Sequence, residues 1–323
     1  MPCPLPEKET GNIHIHDLII IGGGPGGLTA GIYAQRAALD TLLLEKGLPG
    51  GQMNNTDMVE NWPGIESISG AELSTAMADH VRSYGLEIQQ QEVRQIEPCL
   101  GHHLVHLADD RKLAAYALII AAGGSPRKLG VPGEDANYGK GVSYCAVCDG
   151  FFFRNKTVVV VGGGDSALEE ALYLAKIAAK VYLVHRREEF RGGMILQKRV
   201  KAEKNIELHL NAVVTAIQSD RQGVTGVALE DTTSGEQREL ACDGVFIFIG
   251  FMPDNSLVPA GTKMNADGFV VTDEKCETRL PGIFVVGDLR EKYVKQIITA
   301  AADGCIAAQA AARHVENRKG DGQ

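Results

Sequence analysis

Gly22-Gly23-Gly24-Pro25-Gly26-Gly27 stands directly after an apolar run, His16–Ile21 (HDLIII), and directly before an alanine-rich segment, Leu28–Ala38. A short apolar run without alternation reads as a parallel strand covered on both faces, and the alanines favour a helix. Thr41–Glu45 (TLLLE) is the next such run and ends in an acid. Strand, glycine turn, helix and strand make one βαβ unit. In it Gly22 permits the tight turn, Gly24 lets backbone approach a pyrophosphate, and Gly27 allows close helix–strand packing, with Pro25 and Gly26 between them. The helix start offers free N–H groups and a favourable dipole to phosphates. Glu45, 18 residues after Gly27, has the spacing of an acid that bonds an adenosine ribose.

The pattern restarts at Lys156–Val161 (KTVVVV) and runs through Gly162-Gly163-Gly164-Asp165-Ser166-Ala167 into a helix from Asp165 to about Ile177 and a strand, Val181–His185 (VYLVH). Here the strand end differs. Where the first unit has Glu45, the second has His185-Arg186-Arg187, with Arg191 a turn further on. A carboxylate repels a 2′-phosphate, whereas guanidiniums grip it with charge-assisted bonds. The first turn is therefore expected to take a dinucleotide with a free ribose, and the second, through Gly162, Gly164 and these basic residues, NADPH. An exposed basic helix start is the plainer account of the arginines; their place at the strand end weighs against it.

Between the two turns lies Tyr144-Cys145-Ala146-Val147-Cys148-Asp149-Gly150. Two cysteines at this spacing can close a disulfide and reopen as a dithiol. Seven cysteines, five of them without a close neighbour, are not the framework of a secreted disulfide scaffold. No second CxxC accompanies the pair, so a structural zinc is not expected. His102, His103 and His106 read as solvated edge residues, and no metal is assigned. Two dinucleotide turns and one redox-capable pair suggest an electron relay. Asp149 is the candidate acid/base beside the thiols, against the plainer reading of a turn-forming Asp-Gly.

The formal charge of −9 over 323 residues carries no basic tract, which argues against generic nucleic-acid or anionic-membrane binding. No apolar run approaches the ~20 residues of a membrane span. Met1–Asn12 lacks a signal pattern and reads as the disordered leader of a cytoplasmic protein. Further along, Gly70–Tyr84 reads as a helix, Ala117–Ala122 as a buried strand, and 206–210, 212–218 and 224–229 as short strands before the buried run Gly244–Gly250. Trp62 fits a packed loop anchor and a cofactor contact about equally. Gly282–Asp288 is an apolar strand ending in Gly-Asp, which suits a carboxylate aimed at a ribityl or ribose hydroxyl, or an N-cap. Tyr293 to about Arg313 reads as a small-residue helix, with 1–14 and 316–323 expected to be flexible. The fold class is α/β with two Rossmann-like dinucleotide-binding domains, the second (126–252) inserted in the first (1–125 and 253–323). The double linker suits a hinge.

Cys145-Ala-Val-Cys148-Asp149-Gly150, the Gly162 turn with Asp165-Ser166-Ala167, and His185-Arg186-Arg187-x-x-x-Arg191 together resemble low-molecular-weight thioredoxin reductase. Gly51-Gln52, Asn61-Trp62-Pro63-Gly64, Ser125-Pro126-Arg127 and Gly287-Asp288 resemble that family too, over about His16 to Ala312. The resemblance implies a homodimeric class II pyridine nucleotide-disulfide oxidoreductase of the cytoplasm, with FAD in the discontinuous domain, NADPH in the inserted one, and thioredoxin as the protein substrate. By position FAD would be held by the Gly22 turn, Glu45, Lys46, Gly51, Gln52, Asn61, Asp288, Lys295, Gln296 and Ile297, and NADPH by Asp165, Ser166, Arg186, Arg187 and Arg191. Lys295 departs from the arginine usual there and keeps charge without the planar fork. Electrons would pass from NADPH to flavin to the Cys145–Cys148 disulfide, with domain rotation between the half-reactions. The sequence leaves open which cysteine attacks the partner. It leaves two other readings as well: the same fold serving a different thioredoxin-like or peroxidase partner, and a non-catalytic nucleotide-binding redox sensor.

Overall fold

A computed structural model describes residues 14–56 and 58–320; the expectations for the leader Met1–Asn12 and for the last three residues lie outside them. The chain divides into two compact units, Met1–Ser125 with Met252–Gln323 and Pro126–Phe251. In chain order the first unit opens with β1 (Ile15–Ile21), α1 (Pro25–Arg36), β2 (Thr41–Glu45), α2 (Gly70–Ser83), β3 (Glu87–Gln90), β4 (Val93–Pro98), β5 (His103–Leu107) and β6 (Lys112–Ile120). It leaves through β7 (Gly124–Pro126). The second unit holds β8 (Val142–Ser143), α3 (Ala146–Asp149), β9 (Thr157–Gly162), α4 (Asp165–Ala175), β10 (Lys180–Val184), α5 (Met194–Ala202) and β11 (Ile206–His209). After these come β12 (Ala212–Asp220), β13 (Gly223–Asp231), β14 (Gln237–Ala241) and β15 (Gly244–Phe248). The chain returns by β16 (Phe251–Pro253), which pairs with β7, to β17 (Ile283–Val285) and α6 (Ile297–Gly320).

The first unit is a seven-stranded sheet in the order β3-β2-β1-β6-β5-β4, with β17 also on β6. Strands β1, β2, β3, β6 and β17 run parallel, and β5 is antiparallel to both of its neighbours, β6 and β4. The unbroken apolar runs have the cause expected of them. Leu18 and Ile20 enter one core, under the helices, while Ile19 and Ile21 enter another on the opposite face. Both faces are covered along Leu18–Ile21, so those four positions are all apolar, while the polar His16 and Asp17 stand at the start of the strand. The glycine turn falls where β1 meets β2 on one side and β6 on the other, the switch point at which open α/β sheets bind ligands.

The second unit repeats this with a parallel sheet, β11-β10-β9-β15-β8, beside a three-stranded antiparallel one, β12-β13-β14. Val158 and Val160 pack on one face of β9, Val159 and Val161 on the other. Three elements differ from the sequence reading. Helix α5 and strand β14 are polar, exposed segments with little periodicity to announce them. Helix α6 starts at Ile297, not Tyr293, and Glu316–Gly320 continue it instead of fraying. Val315 is buried and Lys319 Nζ lies 2.6 Å from Asp17 Oδ1, which ties down the last turns. The alanine and glycine content of α6 also has a packing reason. A Cβ on Gly304 would strike Gly26 O, so α6 lies directly against α1.

Candidate active site

In the first unit, Gly22 turns out of β1 at φ +107°, and a Cβ there would meet Ala121 O. A Cβ on Gly27 would collide with Gly22 O, so helix and strand are as close as backbone permits. Gly24 is different: nothing lies within 4 Å of its would-be Cβ. It is the N-cap of α1 and brings no side chain to the first-turn N–H groups, with Pro25 following. Open space above uncapped donors is what a phosphate requires. Glu45 closes one side, accepting from the Gly23 N–H at 2.6 Å and the Gly47 N–H at 2.8 Å. Gly51, at φ +57°, stands against Gly24, and Gln52 Nε2 donates to Gly124 O at 3.1 Å. Asn61 Nδ2 donates to Gln296 Oε1 at 3.2 Å, joining residues 235 apart in sequence. Lys46 points to Asp254, 3.8 Å away, and Ile297 packs against the helix-side core. Trp62 packs on that core as well, as a loop anchor would.

Asp288 follows β17 in the turn Gly287–Leu289. Its Oδ1 is buried and has no hydrogen bond. Lys292 Nζ, at 4.0 Å, is too far to donate. Burial pushes the Asp288 carboxyl above the usual range, although Lys292 and Lys295 pull the other way. Lys295 is itself lowered by burial and lies over the Phe269 ring, 4.2 Å from its centroid. An orphaned buried carboxylate oxygen calls for a donor such as a hydroxyl. Sequence reading missed what holds this turn. Asp303, buried on α6, accepts from the Gly287 N–H at 3.0 Å, from Arg290 Nη1 at 2.6 Å and from Lys292 Nζ at 2.7 Å. The available signal was a lone carboxylate in the middle of an alanine helix.

In the second unit Gly162 leaves β9 at φ +154°, where a Cβ would strike Phe248 O. Gly164 is again an open, uncapped helix start. Asp165 accepts from the Gly193 N–H at 2.7 Å, fixing the start of α4 to the loop before α5. Ser166 lies in the exposed first turn of α4. His185 is buried, its ring lying where a Cβ on Gly163 would fall and stacking on Phe190 at 5.3 Å; Nε2 is 3.1 Å from Glu189 O. Its imidazole is shifted downward by burial first, and further by the positive charges of Arg186, Arg187 and Arg191. All three are exposed. The backbone N–H of Arg191 donates to Gly163 O at 2.8 Å, which brings that arginine to the glycine turn.

Cys145 and Cys148 are joined in a disulfide, Cα–Cα 5.3 Å. Cys145 caps the single turn α3, and its Sγ accepts the Cys148 N–H at 3.2 Å. Buried Ser143 organises the turn: Oγ accepts from the Cys145 N–H at 3.0 Å and donates to Asp149 Oδ2 at 2.5 Å. Tyr144 OH donates to Glu134 Oε1 at 2.8 Å, and that glutamate also accepts from the N–H groups of Leu129 and Gly130. A disulfide, an adjoining acid and two dinucleotide-type turns define a nucleotide-linked disulfide oxidoreductase. The family model for pyridine nucleotide-disulphide oxidoreductases matches residues 16–304. A thioredoxin reductase of Bacillus subtilis is 46% identical over 302 residues, covering 94% of this chain and 95% of that protein. The crystal structure of thioredoxin reductase from Streptococcus pyogenes superposes with a TM-score of 0.90 at 42% identity, covering 94% of this chain and 99% of that one. Thioredoxin reductase from Giardia duodenalis gives 0.89 at 36%, covering 94% and 100%. The chain belongs to the thioredoxin reductase family of flavoprotein disulfide oxidoreductases.

Proposed function

We propose that the chain uses NADPH to reduce the disulfide of a thioredoxin, through FAD in the first unit and the Cys145–Cys148 pair in the second. The observation that carries the reading is the closed Cys145–Cys148 disulfide, with an acid beside it, in a chain with two open glycine turns. The FAD pyrophosphate would sit on the start of α1 over Gly24 and Gly26, with Glu45 on the adenosine ribose and Gly51, Gln52 and Asn61 along one side. Asp288 Oδ1 would accept from a ribityl hydroxyl, while Lys295, Gln296 and Ile297 border the same end. NADPH would place its pyrophosphate over Gly164 and Ser166 and its 2′-phosphate among Arg186, Arg187 and Arg191. His185 and Asp165 would support that turn from beneath and beside it. Bound in this way, the flavin supplies the two-electron transfer from nicotinamide that opens the disulfide.

Opening leaves two sulfurs as thiol and thiolate. The hydrogen bond that Cys145 Sγ accepts from the Cys148 N–H would stabilise negative charge there once the disulfide opens, which supports Cys145 as the attacking thiolate. It displaces one sulfur of the partner's disulfide: an S–S bond breaks, a mixed disulfide forms, and the partner's other sulfur leaves as thiolate. Asp149, positioned by Ser143, would pass a proton to that leaving sulfur. Asp149, now a carboxylate, would take the proton of Cys148, whose thiolate attacks Cys145 Sγ and restores the pair. The partner's second sulfur leaves as thiolate and takes up that proton, so the partner departs as a dithiol. NADPH and the disulfide would both lie on the second unit and both would have to reach the flavin of the first, so alternation by rotation at the paired β7 and β16 passages belongs to this reading. The family resemblance also supports a homodimer in the cytoplasm. Among the described residues no helix is long and apolar enough to cross a membrane.

Anaerobic titration with NADPH tests the relay. Uptake of two equivalents per chain, one by flavin and one by the disulfide, is expected; uptake of one would exclude the cysteines. Cys145→Ser and Cys148→Ser should each abolish disulfide turnover and leave flavin reduction by NADPH intact.

A further inference from the structure

We propose that His14, His16 and Asp40 form a binding site for a divalent transition-metal ion, Zn2+ by preference, at the end of the first unit's sheet away from the glycine turn. Two histidines separated by one residue at the start of a strand project to the same side. Their rings meet edge to face, 4.5 Å between centroids. Asp40 precedes β2, the strand paired with β1, and so arrives beside them. Asp40 Oδ2 is 2.7 Å from His14 Nε2 and 3.2 Å from His16 Nδ1. One ligand atom from each residue lies within 4.8 Å of the other two. Zinc bonds of about 2.0–2.2 Å to nitrogen and oxygen set neighbouring ligand atoms of a tetrahedron about 3.3 Å apart. The three atoms need only small movements to meet that, and His14, the one with most room, has a side chain 64% exposed.

The chemistry of the donors fits. Two imidazoles and a carboxylate suit Zn2+, with water completing the tetrahedron. His16 Nδ1 is buried and makes no hydrogen bond, which an ion would satisfy. Asp40 is held for the task by its neighbours. Its N–H donates to Asp17 Oδ2 at 3.2 Å, and its carbonyl accepts from the N–H groups of Asp17 and Leu18 at 2.9 and 3.2 Å. Lys319 neutralises Asp17 from α6, leaving Asp40 as the carboxylate that faces the histidines. β1 runs between this cluster and Gly22, about 20 Å at strand rise, so the ion would fasten the starts of β1 and β2 without touching the nucleotide chemistry.

The test is isothermal titration of Zn2+ into the chelator-stripped, air-oxidised full chain, with Cys145 and Cys148 locked in their disulfide and unable to ligate. One ion per chain is expected. His14→Ala is exposed enough to leave the fold alone and should weaken binding at least ~10-fold, since even residues that merely support metal ligands cost 10–100-fold. Asp40→Asn should do the same, and His106→Ala should change nothing. No saturable uptake by the wild type, or uptake undiminished in His14→Ala and Asp40→Asn, would overturn the site.

Discussion

Replacing Arg191 by alanine separates two roles that the structure gives this residue. Its backbone N–H holds Gly163 O at 2.8 Å, and this bond survives any side chain except proline. The exposed guanidinium, one of the three positive charges acting on His185 with those of Arg186 and Arg187, is what the substitution removes. A charge-assisted hydrogen bond to a phosphate contributes about 1.5–3 kcal/mol, and solvent exposure favours the lower figure. A loss of about 1.5 kcal/mol is roughly tenfold in affinity. Steady-state disulfide reduction by Arg191→Ala, with NADPH and NADH varied separately, should therefore show KM for NADPH up about tenfold and kcat unchanged, because the 2′-phosphate is gripped equally before and during hydride transfer. KM for NADH should not move, since NADH has no phosphate to lose. An equal rise for both nucleotides would refute the reasoning: the side chain would then be shaping the turn, and the arginine cluster would have no claim on the phosphate.

The remaining expectations follow from geometry of the same kind. Asp303→Asn keeps the shape but strips the shared counter-charge from Arg290 and Lys292, both largely buried, and should cost about 3–5 kcal/mol in urea unfolding together with loss of bound flavin. Gly27→Ala puts a methyl on Gly22 O and should yield protein without flavin colour, whereas Gly24→Ala, in open space, should fold normally and show only weakened flavin retention. His103, expected from the sequence at a solvated edge, is instead buried on β5 between β4 and β6, and its imidazole is pushed down to about 4, chiefly by desolvation and then by His314. The unfolded chain, with an ordinary value near 6.5, binds the extra proton first on acidification. Stability from this group is therefore complete above pH ~6.5 and lost as pH falls toward 4, by about 3 kcal/mol in all. His103→Asn should flatten that part of the pH–stability curve, measured by urea midpoints.

The two glycine turns were legible because backbone constraints leave few residues to choose from. Gly22 and Gly162 stand where any Cβ would strike a carbonyl, and the strands before them are covered on both faces. Glu45 could be placed by spacing alone, since a strand end fixes its position relative to the turn. His185 was harder. At a strand end beside arginines it reads as one more cation, but its ring occupies the space left by the missing side chain of Gly163, a contact between residues in different elements that no local pattern encodes. Asp303 was hidden for a related reason. Its partners are the Gly287 backbone and two basic residues before α6, and helix periodicity says nothing about what a helix meets at its buried face. Polar α5 and β14 were missed because their stability comes from tertiary packing and edge pairing, not from a periodic apolar stripe.

The contact of α6 with α1 through Gly304 and Gly26, and the pairing of β17 with β6, have a consequence for biosynthesis. Emerging from the ribosome, residues 14–125 lack both the strand that completes their sheet and the helix that covers α1. They must wait while nearly two hundred further residues are made, roughly 10–40 s at elongation rates of about 5–20 residues per second. The inserted unit needs nothing downstream of residue 251 and can fold first. Its N- and C-terminal ends, brought together at β7 and β16, would then hold the early and late halves of the other unit close, turning a union of distant segments into a local one.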